Sequence, residues 1–198
     1  MREFDLAEFN PPLTVPELRG GAVTLRGFIP EDLALVRAAG EDPYIPSISS
    51  IPQRCSEEAA RAFIARQQER AASGHGYSFV IAEGDAGAGV GSIGLWLNDI
   101  DNGRASVGYW VVAAARGRHL AALALDRLVA FAFDTLAIPR LHLFVEPWNV
   151  ASSRTAELAG FTREALLRGW ERIDGEQHDV FAYSLLQHEW ASPPVAAG

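Results

Sequence analysis

The residues most suited to chemistry in this chain lie between Val111 and Ala122, in the run V-V-A-A-A-R-G-R-H-L-A-A. A β-prone apolar segment, Val107 to Val112, enters an Arg/Gly-containing turn, and a long apolar helical pattern follows. A helix start carries backbone N–H groups with no intrahelical acceptor and the positive end of the helix dipole. With Arg116 and Arg118 beside them, such groups form a place to hold a phosphate or pyrophosphate. A plain strand-to-helix turn with solvated arginines is the competing reading of the same segment. A second constellation is Pro147-Trp148-Asn149 with Ser152. Taken alone, Asn149 reads as a helix N-cap. Ser152, on the first turn of that helix, faces either solvent or a cleft at the end of the preceding strand.

The elements that must position these residues follow from periodicity and punctuation. A first strand is expected at Ala22 to Ile29, and Pro30-Glu31-Asp32 then starts a helix to about Ala39. Pro43, Pro46 and Pro52 mark residues 41–54 as a loop. Ser56 is a candidate N-cap for a helix to about Ala72. Tyr77 to Glu83 and Val90 to Leu97 read as a hairpin, and Arg104 to Val112 as the next strand. Gly87, Gly89 and Gly91 imitate a dinucleotide-binding fingerprint, but no helix pattern follows them, so that reading is discarded.

Arg118 to Leu136 is the longest helix pattern and is apolar on two sides, so it packs on both. Arg140 to Glu146 is a strand stopped by Pro147, and Asn149 caps a helix from Val150 to Ala159 that Gly160 terminates. Phe161 to Ile173 and His178 to Leu186 form a final antiparallel pair around Asp174-Gly175. The order β-α-α-β-β-β-α-β-α-β-β predicts an α+β fold with a mostly antiparallel mixed sheet. The crossover at 104–146 makes its two strands parallel neighbours.

Composition narrows the chemistry further. The chain has 198 residues, 48% of them hydrophobic, which suits one domain with a sizeable core. That domain is expected at 22–190, after a proline-bearing lead-in at 1–21 and before a loose tail at 191–198. No apolar run approaches the roughly 20 residues needed to span a bilayer. Cys55 is the only cysteine, which together with the absence of a signal-like apolar N-terminus leads to an expected cytoplasmic location. The net charge of −8 argues against nucleic-acid binding and favours a cationic partner such as an amine or basic peptide, although acidity also serves solubility. All 17 basic residues are arginines. A phosphate-binding loop that needs lysine, a pyridoxal Schiff base and a lysine nucleophile are therefore excluded.

Three segments together resemble the GNAT acyltransferases, and within them the RimJ/RimL-type ribosomal-protein N-terminal acetyltransferase group. V-G-Y-W-V (Val107 to Val111) leading into R-G-R-H-L-A is similar to the family's acyl-CoA loop, R/Q-x-x-G-x-G/A. E-P-W-N-V-A-S-S-R-T-A-E-L-A-G-F (Glu146 to Phe161) resembles its N-x-x-S-x-x-x-x-E-x-x-G-F block. E-A-L-L-R (Glu164 to Arg168), with D-V-F-A-Y-S-L-L (Asp179 to Leu186), resembles its ending. The resemblance spans about Ala22 to Trp190. The loop departs from the pattern at its fourth position, where His119 stands in place of glycine. A β-carbon there must point away from a bound phosphate or tilt the loop.

The resemblance implies a GNAT-like, mostly antiparallel sheet with one splayed parallel pair and about four flanking helices. It implies direct transfer of an acyl group from acetyl-CoA, or another acyl-CoA such as succinyl-CoA, to a primary amine, with no metal. The acceptor is a basic peptide N-terminus, a lysine or a small amine, and a homodimer is left open. The cofactor-binding residues it implies are Trp110, Val111, Val112, Arg116, Gly117, Arg118, His119, Leu120, Ala121, Asn149 and Ser152. Glu164 is the implied base, Ser152 the implied acid, and Asn149 the residue that orients Ser152, a water or the pantetheine. Asp179 is read as structural, pairing with an arginine such as Arg168. Tyr44, Trp96, Trp148 and Trp170 are candidates for an aromatic acceptor cleft. The alternative is a non-catalytic acyl-CoA-binding regulatory module.

Overall fold

Two strands joined by the β-α-β crossover, β4 (Arg104–Val111) and β5 (Arg140–Val145), lie parallel at the centre of the computed structural model, which describes residues 2–84 and 87–190. They belong to a seven-stranded sheet of order β1-β2-β3-β4-β5-β7-β6. The remaining strands are β1 (Val23–Arg26), β2 (Gly76–Glu83), β3 (Gly89–Trp96), β6 (Thr162–Ile173) and β7 (Glu176–Leu186). All their pairings are antiparallel. The helices are α1 (Leu33–Gly40), α2 (Glu57–Ala72), α3 (Leu120–Ala130) and α4 (Val150–Leu158). This is the α+β architecture expected, with one parallel pair and four helices.

The sheet separates two cores. Phe79, Ile81, Leu95, Leu141 and Tyr183 pack with Leu125 and Leu128 of α3 on one face. A smaller cluster sets Val80 against Val36 of α1 and Phe63 and Ile64 of α2 on the other. Two successive sheet residues thus serve opposite cores, as strand alternation requires. Among the described residues, no helix is long and apolar enough to cross a membrane.

Local chemistry accounts for most boundaries. Ser56 Oγ accepts the Ala59 N–H at 3.1 Å and starts α2. Gly160, at φ +86°, closes α4. Asp174 and Gly175 both adopt positive φ, 51° and 88°, as a tight turn between twisted strands needs. Other boundaries differ from expectation. β1 stops at Arg26, whose guanidinium turns to Asp32 with two 2.8 Å hydrogen bonds. α3 starts at Leu120 rather than Arg118, because His119 before it is left-handed. Its end widens into a π turn at Phe131–Thr135, which carries three successive residues, Phe131, Ala132 and Phe133, into the interior.

The lead-in carries a short 3-10 turn at Leu6–Phe9, its Phe9 is buried in the larger core, and Leu18 bridges to Leu25. The expected tail at 191–198 lies outside the described residues. Asp179 differs from its expected pairing with Arg168. Its carboxylate accepts the Gly169 N–H at 2.7 Å, because β6 bulges between Leu167 and Glu171 and left-handed Gly169 turns its N–H out of the ladder.

Candidate active site

The site begins where the parallel pair fails. β4 and β5 are in register only at Arg104/Arg140, Ala105/Leu141 and Ser106/His142. Beyond those three pairs the strands part. Val112 N–H bonds back to Val90 O on the β3 side at 3.0 Å. By the alternation of an antiparallel ladder, Val111 and Tyr109 then direct their backbone groups the other way, into the gap. That edge of β4 has no strand partner there, and although Val111 O is taken by the Arg116 side chain, the Val111 N–H is left open to a ligand in the gap.

At the mouth of the gap is the turn before α3. The first backbone bond across it runs from Leu123 N–H to His119 O at 3.1 Å, and the N–H groups of Gly117 to Ala122 make none. Gly117 and His119 take positive φ, 75° and 59°. This is how the loop accommodates His119: the residue adopts the conformation that glycine favours and keeps the backbone turn. The two flanking arginines are engaged elsewhere. Arg116 donates from Nε to Val111 O at 3.0 Å and from Nη2 to Asp42 at 2.5 Å, while Asp42 is buried with its side chain 2% exposed. Arg118 pairs with Glu83. Arg154, on the same cavity, has no acidic partner among the described residues.

Two cavities open from the gap. One, of about 700 Å³, is lined by the turn from Arg116 to Ala122, by Trp110 and Val111, and by Trp148, Arg154 and Leu158. The other, of about 640 Å³, lies on the α1/α2 face and includes Gln67, Ser78, Trp96, His142 and Glu146. Both are lined by Tyr44, Ile48, Tyr109, Trp110, Asn149 and Ser152. The junction between them is therefore at the parting of the strands.

Asn149 caps α4, and its Oδ1 accepts the Ser152 N–H at 3.0 Å. Tyr109 donates to the Ser152 carbonyl oxygen at 3.1 Å, and burial pushes its phenol up to about 12. Ser152 is thereby held from two sides, at the wall shared by the cavities.

Glu146, just past the end of β5, is 4% exposed and lines the second cavity. Its carboxylate accepts from Tyr44 Oη at 2.6 Å and meets His178 Nδ1 at 2.7 Å. The Tyr44 phenol is pushed up by burial and then by this carboxylate, so it stays protonated and donating. Glu164 is elsewhere. It lies on β6, lines neither cavity, and makes a two-point pair with Arg140 at 2.5 and 3.2 Å, its side chain 45% exposed.

Of the other sequence-predicted residues, Trp110, Val111, Gly117, Leu120 and Ala121 gather on the first cavity. Val112 is spent on the β3 ladder. Tyr44 and Trp96 line the second cavity, Trp148 lies edge-on to Tyr44 at 4.8 Å, and Trp170 lines neither cavity but packs on Phe144, which lines the second. Glu146, Tyr109 and Arg154 also line the cavities and are not among the residues singled out from the sequence. For Glu146 a local signal existed, an acid closing a strand directly before Pro147 and the cap Asn149. Tyr109 and Arg154 carried none.

The donor set suits an acyl-CoA: unpaired N–H groups for a pyrophosphate and an open strand edge for an amide-bearing arm. Residues 22–162 match the family described as acetyltransferase (GNAT) domain. The chain is 29% identical over 169 residues to the uncharacterized N-acetyltransferase p20 of Bacillus licheniformis, across 85% of this chain and 95% of that protein. Among solved structures it is similar to Mycobacterium smegmatis RimJ in complex with CoA-disulfide, with TM-score 0.77 and 24% identity over 90% of this chain and 89% of that one. It is also similar to RimL, a ribosomal L7/L12 alpha-N-protein acetyltransferase in complex with coenzyme A. There the TM-score is 0.76 and the identity 20%, over 86% of this chain and 98% of that one.

Proposed function

Given that the chain belongs to the acetyltransferase (GNAT) domain family and is an acyl-CoA-dependent N-acetyltransferase, we propose that it acetylates the N-terminal amine of a peptide or protein. The observation that carries the reading is the meeting of two cavities at the parting of β4 and β5. Acetyl-CoA supplies the activated acyl group from the cavity at the head of α3. Its pyrophosphate suits the N–H groups of Gly117 to Ala122, with Arg154 as the uncommitted cation nearby. The wall common to both cavities carries no arginine, so an acetyl group suits it better than a charged succinyl group. The similarity to RimL, a ribosomal L7/L12 alpha-N-protein acetyltransferase, supports a protein N-terminus as acceptor.

The incoming amine is mostly protonated at neutral pH and must lose a proton before it attacks. In our reading the base role implied for Glu164 passes to Glu146, which lies on the acceptor side in a water-poor setting. Tyr44 and His178 orient its carboxylate. Val111 N–H suits the negative charge that develops on the thioester oxygen. Ser152 is the donor to the departing thiolate, and Asn149 and Tyr109 fix its backbone.

Steady-state kinetics on a peptide N-terminus test this. Glu146→Gln should lower kcat by about 10²–10⁴-fold while leaving the KM for acetyl-CoA within a few fold. Ser152→Ala should lower kcat with the same split. Wild-type kcat in both variants would sink the assignment. If acetyl-CoA fails to raise the melting temperature, the co-substrate itself is wrong.

A further inference from the structure

The acceptor cavity has a second charged end that the transfer chemistry does not use. Gly76, Trp96, Ser106 and His142 share one rung of the sheet, the last before β4 and β5 part. Gly94 and Gly108 face each other on the next rung, and a β-carbon at either would meet the Trp96 indole at 3.0 and 2.9 Å. The paired glycines therefore let the indole lie across the sheet as a floor. Above it sits Arg70, from the last turn of α2, with its guanidinium 5.6 Å from the indole centroid.

Arg70 has no carboxylate partner among the described residues. Its Nε is buried without a hydrogen-bond acceptor, and so is His142 Nδ1 on the same cavity. Both atoms are closed off from the cavity itself, so what Arg70 offers to a ligand there is the accessible remainder of its half-buried guanidinium, which no carboxylate engages. Burial pushes the Arg70 guanidinium down from its ordinary value, yet an arginine stays charged at neutral pH. With a net charge of −8, the protein does not attract anions at long range, so any anion here is recognised locally.

We propose that the acceptor peptide carries a carboxylate that seats on Arg70 over Trp96 while its N-terminal amine meets Glu146. The spacing sets where that carboxylate is. His142 and Glu146 lie on one face of the same strand line, and four residues of strand span about 13 Å. An extended peptide advances about 3.3–3.6 Å per residue. A hydrogen bond of about 2.9 Å at each end takes up part of that span, which leaves about two to three residue steps and puts the acid at the third or fourth residue of the acceptor. Glu171 and Arg172 of β6 border the same cavity and narrow its outer rim. The inference rests on the reading that this cavity takes the acceptor amine.

Matched pentapeptide amides test it: Ser-Ala-Asp-Ala-Ala and Ser-Ala-Ala-Asp-Ala against their Asn counterparts, with acetyl transfer read by mass spectrometry and spermidine, a polycationic amine with no carboxylate, as the contrasting acceptor. A charge-assisted contact predicts kcat/KM about 10–100-fold higher for at least one Asp peptide, mainly through KM. Arg70→Gln should collapse that ratio to near one, and Arg70→Lys should retain part of it. A CoA-induced rise in melting temperature checks that each variant is folded. Equal use of Asp and Asn peptides, a ratio that survives Arg70→Gln, or a clear preference for spermidine overturns the inference and leaves acetyl transfer intact. Absence of transfer to every amine, with CoA still bound, overturns the proposed function and the inference with it.

Discussion

Replacing His119 by glycine is expected to raise the melting temperature. His119 sits at φ 59°, ψ 12°, one residue before α3, with no side-chain hydrogen bond to the helix end. The left-handed conformation costs an L-residue about 1–2 kcal/mol. Glycine removes that strain but adds about 0.4–1 kcal/mol of chain entropy to the unfolded state. The imidazole is exposed, so little packing is lost. The net gain is about 0.5–1 kcal/mol, which for a chain of this size corresponds to roughly 1–4 °C. Thermal unfolding followed by circular dichroism measures it, with His119→Ala as the companion. Alanine keeps the β-carbon and therefore the strain, so it should give no rise. The rise given by saturating CoA should be at least as large in His119→Gly as in the wild type, because the turn's N–H groups are kept. A fall in melting temperature for His119→Gly, or an equal rise for His119→Ala, would refute the strain argument.

Glu164→Gln should keep kcat within about threefold and change stability by under about 1 kcal/mol, because its pair with Arg140 is largely exposed; a hundredfold loss of kcat would return the base role to Glu164. The hydrogen bond from Arg140 holds that carboxyl below its ordinary range, so the pair's small contribution is present at neutral pH and lost as pH falls through the lowered value. His142 is pushed below its ordinary 6.5, chiefly by burial, so its folded form resists protonation. Its contribution is complete above pH 6.5 and is lost as pH falls toward the folded value, with a slope of at most about 1.4 kcal/mol per pH unit; urea unfolding between pH 7.5 and 5.5 should show that slope, and His142→Gln should flatten it. Hydrogen exchange at the Tyr109 and Val111 amides should slow when CoA is added, whereas the Val112 amide, already bonded to Val90, should change least.

What was legible in the sequence was written locally. The caps at Ser56 and Asn149, the stop at Gly160 and the turn at Asp174-Gly175 each rest on residues within four positions of one another. The crossover announced a parallel pair, but not that the pair would hold for only three rungs. The arginines of the turn were read as free because their acidic partners are remote: Asp42 is 74 positions from Arg116 and Glu83 is 35 from Arg118. Glu146 finds Tyr44 102 positions away, so the hydrogen bond that orients its buried carboxylate could not be read from its neighbours in the chain. The meeting of Arg70 with Trp96 depends on glycines in two different strands. Gly94 and Gly108 flag it only once their register is known. The π turn at Phe131–Thr135 buries Phe131, Ala132 and Phe133 in succession, which local propensity does not encode.

The three-rung join between β4 and β5 also divides the chain. One plate of the sheet, β1 to β4, is drawn wholly from Val23–Val111, and the other, β5 to β7, wholly from Arg140–Leu186. The seam in space is thus a seam in sequence, bridged by α3 and its flanking turns. Each plate keeps its own ladder, and among the described residues no strand pairing other than those three rungs crosses the seam. A chain cut between Leu136 and Arg140 would leave both ladders whole and would put the two halves of the wall shared by the cavities on separate fragments, Tyr109 and Trp110 on one, Asn149 and Ser152 on the other.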